Sequence, residues 1–170
     1  MEISVHSLRW VERLAEQESG VQAGERSSVD LYQVREEVLG LESAQFLREL
    51  RTALETLAKL FNGQMNTDET KIRLQPLSDS GEAFSLSRLN CLVQFDSARP
   101  GVIQVQTKRI AVENPIHLST ATLEAQFGVF DEVSWLFLGE KINSEQVARH
   151  FLTELVQTTL RTRSIASSNA

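Results

Sequence analysis

Residues 84–112 read FSLSRLNCLVQFDSARPGVIQVQTKRIAV, and the pattern is that of strands folded back on each other. Phe84 and Leu86 share one parity, whereas Leu89, Cys91, Val93 and Phe95 share the other. A change of face by one residue predicts a β-bulge near Ser87–Arg88. Arg99-Pro100-Gly101-Val102 sets proline and glycine at the two central positions of a type II turn. Residues 102–112 are the returning strand, closed by Glu113-Asn114-Pro115.

Strand signals continue on both sides. Residues 71–75 alternate, and Asp79-Ser80-Gly81 is a turn. Residues 116–131 fit two periods. Leu123, Ala125, Phe127 and Val129 alternate as a strand, while Leu118, Ala121, Ala125 and Val129 fit a helix. The strand reading is preferred, because residues 133–138 after Asp131-Glu132 look like its hairpin partner. Val133 to Leu138 is almost wholly apolar and reads as a central strand covered on both faces.

Helices flank this block. Residues 29–62 carry Val34, Val38, Leu41, Leu47, Leu50, Leu54, Leu57 and Phe61 at helical spacing, with Phe46, Ala53 and Leu60 alongside. Gly40 weakens the middle by about 1 kcal/mol relative to alanine, so a bend with Ser43 as a second cap is expected. Asn62-Gly63 is the stop. At the other end Asn143 and Gln146 form a capping-box pair. Val147, Ala148, Phe151, Leu152, Leu155, Val156 and Leu160 make a broad apolar face. Residues 7–17 form one narrow amphipathic stripe of Leu8, Val11, Leu14 and Ala15, too short to persist alone. A linker follows over 18–28, with Gly20 and Gly24.

The expected fold class is therefore α+β. An antiparallel sheet of about four to five strands packs against a long N-terminal helix and a C-terminal helix, with a short detachable N-terminal helix in addition. The expected organisation is a helix and linker over 1–28, a single domain over 29–163 and a frayed tail over 164–170.

The chain has 170 residues, 41% hydrophobic and 24% charged, which excludes collagen-like and fully disordered classes. A chain of this size buries about 70% of its surface, enough for one core without metal or disulfide. One cysteine excludes an internal disulfide and fits a reducing, cytoplasmic setting. No run of apolar residues is long enough to span a membrane, and the start is not a signal peptide. Net charge is −6, all of it within residues 1–69, and no basic stripe exceeds Lys108-Arg109. Nucleic acid is not an expected partner.

No reacting constellation is legible. His6, His117 and His150 lack metal-ligand spacing, so neither metal nor cofactor is expected. Cys91 has inward parity and reads as a small core hydrophobe. There is no nucleophile elbow and no phosphate loop. Asp131-Glu132 and Glu36-Glu37 are adjacent pairs whose carboxylates diverge.

Size, acidity and the helix–strands–helix order over about residues 43–163 resemble the small dimeric chaperones of type III secretion effectors. The resemblance implies a homodimer with a middle dimerisation helix, where residues 116–131 lie. Cystatin-like scaffolds share the same order.

The expectation is a non-enzymatic protein-interaction module: an adaptor, chaperone or assembly factor that binds a protein partner or a second subunit. Leu8, Trp10, Val11 and Leu14 are expected to dock the short helix, and Phe46, Ala53 and Leu60 to widen a helix interface. The alternatives are an apolar small-ligand domain, signalled by a cavity lined with Phe and Leu, and an enzyme of dispersed residues. The latter is signalled by His117 or His150 facing a carboxylate in a cleft.

Overall fold

A computed structural model describes residues 28–79, 82–111 and 114–168, together with 11, 12, 14–16, 18 and 19; for 28–32 and 162–168 only the backbone is described. The elements are α1 (Ser28–Asn62), a 3-10 turn (Asp68–Thr70), β1 (Arg73–Pro76), β2 (Ala83–Arg88), β3 (Cys91–Arg99), β4 (Val102–Arg109), β5 (Ile116–Phe127), β6 (Val133–Phe137), β7 (Glu140–Ile142) and α2 (Ser144–Ser168). The strands form one antiparallel meander in chain order.

The α+β class stands, but the sheet has seven strands rather than four to five. The first extra strand lies in residues 84–95. They are two strands, not one bulged strand: Arg88 pairs Cys91 across Leu89-Asn90. A two-residue loop pairs i with i+3, so the apolar set changes parity just as across a bulge. Leu89 takes φ 53°, the left-handed value that such a loop needs at its first position. The second extra strand is β7, entered through Leu138 (φ 53°) and Gly139 (φ 84°), with Phe137 opposite Glu140. The register shifts in the sheet lie at Ser97/Arg99 and Thr107/Lys108.

Residues 116–127 are strand, so the middle helix that the chaperone resemblance implies is not there. β5 ends at Phe127, and Val129 lies in the loop beyond it. β6 is not a central, doubly covered strand. It is second from the edge, and only Trp135 in it is buried.

Register puts one apolar row on one face. Phe84 lies opposite Phe95, Leu86 opposite Val93, Phe95 opposite Val105, Ile103 opposite Leu123, and Ala125 opposite Trp135. Both helices cover this face. Phe46 stacks on Trp135 at 4.6 Å, and Phe95 meets Phe151 edge-on at 5.5 Å. The other face is polar: Lys108 Nζ donates to Gln94 Oε1 and Gln106 Nε2 to Gln104 Oε1, both at 3.2 Å. The edges are blunt, since β1 ends in Pro76 and β7 has three residues.

α1 is one unbroken helix. Ser43 does not cap a second start; its Oγ donates back to Leu39 O at 2.7 Å and accepts from Gly101 N at 2.9 Å. Gly101 has φ 76°, as the type II turn demands. α2 begins with a reciprocal capping box, Asn143 N to Gln146 Oε1 and Gln146 N to Asn143 Oδ1, both 2.9 Å. It continues past Arg163 to Ser168.

The helices run in the same sense. Phe46, midway along α1, stacks on Trp135, whose strand partner Ile142 leads into α2. Phe61, at the end of α1, lies under the Arg88 guanidinium, which donates to Thr159 far along α2.

Candidate functional site

Among the described residues the most exposed of the large apolar side chains sit on turns. Val129 is 92% exposed, Phe130 83% and Leu138 86%. Val129 and Phe130 form the tip of the β5–β6 loop, and Leu138 lies at the other end of β6. An exposed leucine alone needs no explanation. Two adjacent large hydrophobics on an internally bonded loop are different.

The loop is held by its own hydrogen bonds. Gly128 N donates to Glu132 O at 2.7 Å, and Asp131 N to Gly128 O at 3.2 Å. Phe130 N donates to Glu132 Oε2 at 3.0 Å. Asp131 adopts φ 57°, a conformation that aspartate tolerates. Its carboxylate accepts from Arg35 on α1 at 3.2 Å, and the same guanidinium lies over the Phe127 ring at 5.1 Å. The loop is thereby tied to the N-terminal half of α1. That half carries Val34 and Leu41, both exposed, and the partly buried Val38. The spacing i, i+4, i+7 puts these three on one stripe of the helix.

The residues singled out from sequence fall in three places. Leu8 and Trp10 lie outside the described residues. Val11 and Leu14 are on helical backbone and about half exposed. Phe46 is buried under Trp135, and Ala53 packs against the core, so neither widens an exposed helix face. Phe46 is covered by Trp135 of β6. Leu60 alone of that set stands out, at 67% exposure.

The possible reacting groups are placed as follows. Cys91 is fully buried. Burial pushes its thiol pKa up, opposed by the nearby Arg109 and Arg88 guanidinium groups. A thiol held neutral is a poor nucleophile. His150 does face a carboxylate in a shallow cleft: its Nε2 is 3.8 Å from Glu154 Oε2, one turn along α2. Thr107 and Ser119 hydroxyls donate to Glu154 Oε1 at 3.2 and 3.4 Å. In a nucleophile relay the imidazole stands between hydroxyl and carboxylate. Here both hydroxyls go straight to the carboxylate, and the ring packs on Phe137 and Phe151 instead. His117 bonds Thr120 at 2.7 Å on the exposed half of β5.

A second cleft is lined by Glu69, Lys71, Arg73, Ser87, Arg88 and Leu89. Both clefts are walled mainly by polar and charged side chains. Among the described residues no cluster of three His, Cys, Asp or Glu is placed to hold a metal ion, and no helix is long and apolar enough to cross a membrane.

Compared with known proteins, the chain matches no family model, no curated protein and no solved structure.

Proposed function

We propose that this chain is a non-enzymatic protein-interaction module, an adaptor, chaperone or assembly factor of the cytoplasm. The observation that carries the reading is the exposure of Val129 and Phe130 on a loop braced by Glu132 and Arg35. Ordered apolar side chains presented to water are the usual mark of a contact surface.

Self-association belongs to the same reading. Leu60 at the end of α1 and Leu160 about two-thirds along α2 are both exposed, beside Phe61 and Thr159, where Arg88 joins the C-terminal end of α1 to α2. We propose this end as the homodimer contact.

The test is affinity capture. The full chain, immobilised, is exposed to a native lysate beside a Phe130→Ser/Leu138→Ser variant. A protein retained stoichiometrically by the native chain and lost by the variant supports the reading. No specific protein retained by either chain overturns it.

A further inference from the structure

The end of the molecule that carries Phe130 presents exposed apolar side chains and carboxylates together. Val34 adjoins Arg35 and Phe130 adjoins Asp131, so the Arg35–Asp131 pair brings the α1 stripe and the loop tip to one end. Residues 33–42 and 128–132 hold Glu36, Glu37, Glu42, Asp131 and Glu132 against a single cation, Arg35, which faces Asp131. The β3–β4 turn lies at the same end, through Gly101 against Leu39 and Ser43, and adds only Arg99. The balance stays negative.

Charge complementarity selects the occupant. An anionic lipid surface would be repelled. A second copy meeting this end with its own would set carboxylate against carboxylate. From this patch, and resting on the interaction reading above, we infer that it receives a basic, apolar-faced segment of a partner protein. Apolar side chains of the segment pack on Val129, Phe130, Val34 and Leu41. Its lysines or arginines face Glu37 and Glu42, which flank the Val34–Leu41 stripe at helical spacing, and Glu132. The braced loop lowers the ordering cost of binding, because the tip is already held in one conformation.

The test uses the full chain and a labelled amphipathic peptide of about 18 residues, long enough to hold a helix. It carries leucine at i, i+3, i+4 and i+7 and lysine elsewhere; a second peptide carries glutamate in place of lysine. Anisotropy is read at about 0.15 M salt, where charges beyond ~8 Å are screened. The lysine peptide should bind saturably, and at least about tenfold more tightly than the glutamate peptide. Val129→Ser/Phe130→Ser leaves the charge unchanged and should weaken binding by about tenfold. Glu37→Gln/Glu42→Gln, on exposed or half-exposed helix positions, should weaken it about three- to tenfold and raises no doubt about the loop's folding.

Equal affinity for the two peptides, or no change in either variant, overturns the assignment. So does binding to phosphatidylcholine–phosphatidylglycerol vesicles that is lost with Val129→Ser/Phe130→Ser, or a dimer that the same variant dissociates. Should the lysine peptide fail while the capture experiment still retains a stoichiometric protein, this inference falls and the interaction reading stands. Failure of both overturns both.

Discussion

The side-chain amide of Asn62 pairs with the backbone of Ile72 at both of its hydrogen-bonding groups. Asn62 Nδ2 donates to Ile72 O at 2.8 Å, and Ile72 N donates to Asn62 Oδ1 at 2.7 Å. The last residue of α1 thus stands in for a strand neighbour at the entry to β1, where Ile72 is buried.

Asn62→Ala leaves both Ile72 groups without that partner, which should cost about 1–3 kcal/mol. For a domain of this size that lowers Tm by roughly 2–4 °C per kcal/mol. Asn62→Asp keeps the acceptor and loses the donor, so its urea midpoint should fall between wild type and alanine. An alanine variant as stable as wild type would show the pairing to be incidental.

Cys91 should react slowly with a thiol reagent in the native state, at a rate set by opening of the fold. Its raised folded pKa also fixes the sign of a pH effect. Below the ordinary thiol value of 9.0 the neutral form prevails both folded and unfolded, and the favourable contribution is fully present. Above 9.0 the unfolded thiol ionises first, so stability declines as pH rises. Cys91→Ala should show a shallower alkaline decline in urea midpoint. Rapid native labelling would contradict the burial.

Phe46→Ala removes the ring stacked on Trp135 and should cost about 3–5 kcal/mol. Leu77→Ser, at an exposed position just after β1, should change stability by less than about 0.5 kcal/mol. Thermal denaturation of the two variants side by side separates core from surface. Similar small effects would place Phe46 outside the core.

Light scattering at tens of micromolar should give twice the chain mass of 19.1 kDa. Leu60→Ser/Leu160→Ser should return it to the monomer mass without loss of helicity. A wild-type mass near 19 kDa would remove the dimer from the proposal.

Deleting residues 1–24 should leave the sheet and its two helices folded, because among the described residues the buried core begins at Phe46. Circular dichroism should show Tm lowered by only a few degrees. An unfolded product would make the short helix part of the core.

Sequence alone determined the elements whose signals are local. The period of α1, the Asn143–Gln146 capping box, the Pro100-Gly101 turn and the inward parity of Cys91 each depend on residues within one or two turns of chain. Strand count did not yield to the same reading. A bulge and a two-residue hairpin both shift parity by one, and only the Arg88–Cys91 pairing separates them. Surface assignment also failed locally. Phe46 and Leu60 belong to the same helix and differ only in what lies opposite, Trp135 for one and solvent for the other. Val129 alternates in phase with the buried Leu123, yet the strand ends at Phe127 and the hydrogen bonds of the loop turn it outward. Burial is a property of the partner surface, and for Phe46 that surface comes from chain tens of residues away. Only the tertiary structure could bring it there.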